Sequence, residues 1–303
     1  MFKMNRSRGF GVFRHGSLPV FDESETRPQF RGSRFMSNTL LHLSPETIAD
    51  AIETNLVDSS MTLGKTEDAV IFRGSDVAWV YTGAKSLSRV LRPRFAPDDV
   101  EDRVEEISEC FRQWDAGVSW IIGPTSWPPQ IGQVLHESGY GNQEIWTGMA
   151  LDLTEWSLDP NLLNNLRVER VVDPGSLAVW ARLGDETDPA ATIFSPENAG
   201  GDQRCRYYLA FADGKPVSRG MAFLRGDTVG LYWLDKVPGR SDRGSDRAVI
   251  AKALLDARAG GATTAVVPAA TAVRGTLTEM GFKAYCQFNV YSWPPEPIKM
   301  SLH

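Results

Sequence analysis

Val217-Ser218-Arg219-Gly220-Met221-Ala222-Phe223-Leu224 and Val229-Gly230-Leu231-Tyr232-Trp233-Leu234-Asp235-Lys236, joined through Arg225-Gly226-Asp227, form the stretch whose reading decides the fold. Both runs are rich in strand-favouring residues and the link between them is a turn, so the stretch reads as a hairpin. A break at Pro238-Gly239 leads into the charged loop Arg240-Ser241-Asp242-Arg243-Gly244-Ser245-Asp246. Next come an amphipathic helix from about Arg247 to Ala259, a β-rich run Thr263–Val267, a helix to Met280, and Gly281-Phe282.

Working outward, Tyr207–Ala212 is a strand that turns at Asp213-Gly214-Lys215-Pro216 into the hairpin, and Ala284–Trp293 is a final strand. Leu166–Val172 opens this half as a strand, followed by a helix from about Pro174 to Gly184. The polar run Asp185–Gln203 reads as a loop. Further upstream, Ser44-Pro45-Glu46-Thr47 carries helix-start chemistry, with Ser44 as cap and Pro45 in the first turn. Strands at Ala69–Phe72 and Val77–Tyr81 follow, then a helix opening at Pro97-Asp98-Asp99 with Val100, Val104, Ile107 and Phe111 on its apolar face. A strand Ser119–Ile122, a helix from Trp127-Pro128-Pro129 to Gly139, and a strand Glu144–Leu153 complete that half. The expected divisions are a basic arm over 1–35, a first domain over 36–153, a linker over 154–165 and a second domain over 166–303.

The 303 residues suffice for two domains, and 42% apolar with 23% charged residues is an ordinary globular composition. A net charge of -6 argues against general nucleic-acid binding, which needs a basic surface. Cys110, Cys205 and Cys286 are scattered, as are the four histidines, so no disulfide framework and no metal-ligand spacing is legible. No apolar run reaches membrane-spanning length. The cysteine usage fits a reducing, cytoplasmic setting. The acid-poor arm with Arg6, Arg8, Arg14, Arg27, Arg31 and Arg34 leaves open an organellar transit peptide beside a plain disordered arm.

The order hairpin, charged loop, helix, strand, helix, together with Gly244 and Met280-Gly281-Phe282, resembles the cofactor-binding half of the GNAT acyltransferase superfamily. The two halves share an order of elements, so the chain resembles a tandem GNAT protein, α/β with a mixed sheet, whose N-terminal copy is degenerate. The resemblance implies acetyl-CoA or another acyl-CoA as co-substrate and no metal. It also implies main-chain contacts at Leu234 and Lys236 and a pyrophosphate loop over Arg240, Arg243, Gly244, Ser245, Asp246 and Arg247. The superfamily loop has Gln or Arg where this chain has Ser241, and Gly or Ala where it has Asp246, so the loop is divergent. Asp246 either caps the helix or sets a carboxylate beside phosphate, to be offset by Arg240, Arg243 and Arg247. The position of the usual general-acid tyrosine is Leu277, leaving Tyr232, Tyr285 or Cys286 for that role. Asp235 is the candidate general base. Strict alternation sets Trp233 and Asp235 on one face, as substrate-pocket residues, and Tyr232, Leu234 and Lys236 on the other.

The function these features imply is acyl-CoA-dependent N-acylation of a small amine or amino-acid-like substrate. The alternatives are a biosynthetic enzyme of the same fold that uses another acyl donor, or a small-molecule-binding protein without acyl transfer. In the first half the equivalent loop, Arg92 to Asp99, has no glycine and ends in acids, so that half is expected to be structural or to shape the substrate site.

Overall fold

The computed structural model describes residues 43–64, 66–83, 87–158, 166–183, 193–194, 202–237 and 244–294. The basic arm, Arg240, Arg243 and most of the 185–203 loop lie outside them. Ser44 caps helix α1 (Pro45–Met61) by accepting the Thr47 N–H on its Oγ at 3.3 Å. Short strands β1 (Val70–Arg73), β2 (Ala78–Tyr81) and β3 (Ser88–Leu91) follow, then helix α2 (Val100–Gln113), β4 (Val118–Ile122), α3 (Ile131–Glu137) and β5 (Gly141–Asp152). The second half contains β6 (Arg167–Arg170), α4 (Pro174–Ala181), β7 (Cys205–Ala212), β8 (Lys215–Arg225), β9 (Thr228–Lys236), α5 (Ser245–Ala259), β10 (Thr264–Ala269), α6 (Thr271–Glu279) and β11 (Lys283–Trp293). The reading from sequence has no strand at β3: four residues, Ser-Arg-Val-Leu, are too few to show a period.

All the strands join one eleven-stranded mixed sheet in the order β1-β2-β3-β4-β11-β5-β10-β9-β8-β7-β6. The halves exchange strands. β11, at the end of the second half, lies between β4 and β5 of the first, and β5 lies between β10 and β11 of the second. The β10–β5 ladder runs antiparallel from Thr264↔Asp152 to Ala269↔Thr147. Each half therefore supplies the backbone partners of an edge that the other would leave bare.

Three apolar clusters follow from which way each strand residue points. On β2, β3 and β4 the residues Trp79, Val90 and Trp120 pack with Val104, Ile107 and Phe111 of α2 on one face. Val80, Leu91 and Ile121 face the other way, onto Ile48, Ile52 and Leu56 of α1. That second cluster continues into Tyr207, Met221, Phe223, Tyr232 and Val266, so α1 spans the seam between the halves. The opposite face of the second half is covered by α5 and α6, through Val249, Leu254 and Leu277. Among the described residues no helix is long and apolar enough to cross a membrane.

The exchange makes a concrete demand. Residues 166–303 expressed alone would expose the edges of β10 and β11 that β5 covers, and are expected to be insoluble or unfolded by circular dichroism. Co-expression with residues 38–158 should restore a soluble, cooperatively melting complex. A stable, folded 166–303 fragment would contradict the mutual dependence.

Candidate functional site

The sheet opens at one place. β9 and β10 are parallel and paired from Thr228↔Thr264 to Gly230↔Val266; beyond that point both strands continue without pairing to each other. In the first half the corresponding pair, β3 and β4, stays in register over the whole of β3, from Ser88↔Val118 to Leu91↔Ile121. The first half is closed and only the second half splays.

A β-bulge accompanies the splay. The β8–β9 register shifts between Arg219↔Asp235 and Met221↔Tyr232, and Trp233 sits at φ 55°. This left-handed conformation is costly for an aromatic residue. The extra residue breaks the alternation expected along β9. Tyr232 and Trp233 belong with the α1-side core, whereas Leu234 packs with the α5-side core and Lys236 reaches Asp246 on α5. Grouping Tyr232 with Leu234 and Lys236 is thus corrected: the bulge rotates Tyr232 to the side of Trp233 and Asp235. Val237 donates its N–H to Val217 O at 2.9 Å, so the pleat turns the N–H groups of Leu234 and Lys236 toward the open edge.

The opening leads into a cleft of about 580 Å³. Second-half walls come from Leu231, Trp233 and Asp235 on β9, Val267 and Pro268 on β10, and Val273 on α6. The first half closes it with Leu56 and Ser59 of α1, Arg89 of β3 and Trp146 of β5. Trp79 and Trp120 are buried in the first-half core, while Trp127 is exposed.

At the start of α5, Gly244 is the N-cap at φ 92° and makes no side-chain cap bond. A Cβ there would meet only open space, although a side chain would be strained at that φ. Asp246 is neither a cap nor a free carboxylate. Its Oδ2 takes the Lys236 ammonium at 2.8 Å and the Thr276 hydroxyl at 3.0 Å. Burial alone would raise the Asp246 carboxyl, but the Lys236 ammonium, the Arg247 N–H and the Thr276 hydroxyl together hold it below its ordinary value. Arg247 is ion-paired with Glu279 of α6. Ser245 is buried.

Deeper in the second half a second ion pair is built around Arg219, which is only 1% exposed. Its Nη2 and Nε donate to Asp235 Oδ2 at 2.8 and 3.0 Å, and its Nη1 donates to the Trp180 carbonyl at 3.1 Å. The guanidinium lies over the rings of Trp180 and Trp233, at 4.9 and 5.5 Å from their centroids. The Asp235 side chain is 45% exposed, and among the described residues only its Oδ2 is bonded.

Burial shifts two of the acid candidates, Tyr232 and Cys286, in the same direction. Tyr232 donates its hydroxyl to Asn55 Oδ1 at 2.7 Å, in the buried contact between α1 and β9. Burial pushes its phenol well above the ordinary value, against the opposing effects of Ser59 and the Arg89 charge. Burial pushes the Cys286 thiol up to about 12, with the Glu53 carboxylate adding to the shift. Leu277 is fully buried beside α5. Arg89 and Arg219, which line the cleft, were missed by sequence reading. Arg219 could have been noticed as a charge inside an apolar strand; Arg89 sits in a strand too short to show one.

No family model matches the chain, and no curated protein matches it. Solved structures do. A GCN5-related N-acetyltransferase from Kribbella flavida superposes with a TM-score of 0.58 at 17% identity, over 79% of this chain and 95% of that one. A GCN5-related N-acetyltransferase from Sphaerobacter thermophilus gives 0.54 at 12%, over 82% and 93%. A tandem GNAT protein from the clavulanic acid biosynthesis pathway, without AcCoA, gives 0.50 at 13%, over 82% and 96%. At these identities the likeness is one of fold.

Two substitutions check this geometry. Asp246→Asn should lower stability at pH 7 by about 1 kcal/mol, because it removes an ion pair whose ammonium is half exposed and screened by water. A carboxyl with a lowered folded pKa stabilises above its unfolded value, about 3.9, and loses that contribution as pH falls through the folded value. The deficit in urea titrations should therefore shrink below pH 4; a deficit that stays constant to pH 2 would contradict the pairing. Gly230→Ala places a Cβ against Asn55 Oδ1 and within 2.7 Å of the Tyr232 ring. It should cost about 1–3 kcal/mol by overpacking the α1–β9 contact, and an unchanged midpoint would argue against that close approach.

Proposed function

From the premise that this chain has the GNAT acyltransferase fold, we propose that it is an acyl-CoA-dependent N-acyltransferase acting on a small amine or amino-acid-like substrate. The observation that carries the reading is the parting of β9 from β10 beyond Gly230, where the Leu234 and Lys236 N–H groups turn away from β8 near the N-terminus of α5. Unpaired N–H groups and the positive end of a helix dipole suit a phosphate-bearing thioester. Binding falls to the Leu234 and Lys236 main chain, Gly244 and the first turn of α5, with Ser245 and Arg247 at its start. Arg240 and Arg243 complete the proposed loop and lie outside the described residues. The pairing of Asp246 with Lys236 and Thr276 removes the objection that its carboxylate would repel pyrophosphate.

A bound acyl-CoA would supply the thioester, on whose acyl carbon the amine nitrogen replaces sulfur. Asp235 supplies the acceptor for the proton that the amine loses: Oδ2 is fixed by Arg219 and Oδ1 has no partner among the described residues. The Leu234 and Lys236 N–H groups serve the carbonyl oxygen as its charge grows. In this reading Tyr232, whose hydroxyl donates to Asn55, returns a proton to the departing thiolate. Trp233 forms the substrate wall. The buried, proton-free Leu277 at the usual acid position favours the second reading, a chain of this fold that has given up coenzyme A.

The melting shift with coenzyme A and acetyl-CoA decides between them. A ligand at 100 times its dissociation constant stabilises by about 2.7 kcal/mol, a shift of a few degrees. No shift at millimolar ligand would remove coenzyme A from the reading. In an active preparation, Asp235→Asn should lower kcat at least about 100-fold, measured on protein shown to be folded because Arg219 loses one of its partners. Turnover within a few fold of the parent would take Asp235 out of the mechanism.

A further inference from the structure

Among the described residues, one cation in the cleft meets no anion. Arg89 projects from β3 to the α1 side, where Val80, Leu91 and Ile121 are apolar, and its Nη1 donates to Ser60 Oγ at 3.0 Å. Ser60 is neutral, and among the described residues no carboxylate lies within ion-pair distance of the guanidinium. Among the described residues, Asp58 is paired with Arg73 and Arg225, at 2.8 and 2.6 Å, and Asp235 with Arg219. Burial pulls Arg89 down to about 10, the mark of a charge taken from water without compensation. Such a charge destabilises the empty protein, whereas an aliphatic residue at this position would extend the surrounding core. A group that costs stability and faces a cavity is placed for a ligand.

We propose that Arg89 binds the carboxylate of the acyl acceptor, which makes the acceptor an amino carboxylate with an apolar body. This rests on the acyltransferase reading for the amine's role, and on the cleft alone for the carboxylate. The walls between the two charges are Leu56, Leu63, Met221, Trp146 and Trp233, which suit an apolar side chain. Asp235 lines the same cleft, so amine and carboxylate each meet an opposite charge. Because Arg89, Leu56 and Trp146 come from the first half, the half that is closed to cofactor supplies recognition of the acceptor.

The test uses the full chain without coenzyme A. Glycine, alanine, leucine and phenylalanine are titrated calorimetrically beside the amides of the same amino acids. At least one acid should bind roughly 10-fold or more tighter than its amide, the usual size of a charge-assisted bond. Arg89→Met should erase the preference and Arg89→Lys should keep part of it. Arg89→Met should also melt at or above the parent temperature, whereas a purely structural arginine would lower it. If no acid binds, if acid and amide bind alike, or if Arg89→Met keeps the preference, the proposal is overturned. Should Arg89→Met not fold, the structural reading gains and the acid-to-amide ratios of the parent and Arg89→Lys decide. An acid preference without any acetyl-CoA melting shift would instead sink the acyltransferase reading and leave the carboxylate site standing.

Discussion

The reciprocal exchange of β5 and β11 is the constraint on which the rest depends. With β5 seated between β10 and β11, and β11 between β4 and β5, the two halves cannot part without breaking ladders on both sides. The seam is therefore a continuous sheet, unlike a typical interdomain contact. Over that seam lies α1, whose apolar face meets strands of both halves and whose Asn55 takes the hydrogen of Tyr232 on β9. The cleft is walled by both halves, whose strands share backbone hydrogen bonds across the seam.

Within that frame the bulge at Trp233 sets the polarity of the site. One left-handed residue sends Tyr232 and Trp233 to the cleft side and Leu234 and Lys236 to the α5 side. Arg219 holds this irregular segment, tying Asp235 to the end of α4 and lying against Trp180 and Trp233. On the other side Lys236, Asp246 and Thr276 tie the strand to α5 and α6. Two ion pairs thus hold the segment from opposite faces of the sheet. This offsets the cost of a strained backbone in a stretch that has lost its pairing with β10.

The fold was largely legible, and for identifiable reasons. Hairpin turns such as Arg225-Gly226-Asp227, the Ser44-Pro45 start and the apolar stripe of α2 are local signals, set by residues a few positions apart. The α/β character and the GNAT resemblance followed from their order, and solved structures of that fold agree with it. Strand β3 escaped notice because four residues cannot display a period. Alternation along β9 failed at Trp233 because a bulge depends on the neighbouring strand.

By itself, then, the sequence determined the succession of elements and the position of the charged loop around Gly244 and Asp246. These are properties of segments, and segments carry their own propensities. Only the tertiary structure decided that β5 and β11 change places, that Asp246 meets Lys236, that Asp235 meets Arg219, and that Arg89 faces the cleft without an acid. Each of these is a pairing between residues far apart in the chain, and an ion pair or a ladder has no periodicity to betray it. Charge compensation is settled by proximity in space. Composition counted Arg89 as one cation among many, and the folded chain left it the one in this cleft with no acid among the described residues to meet it.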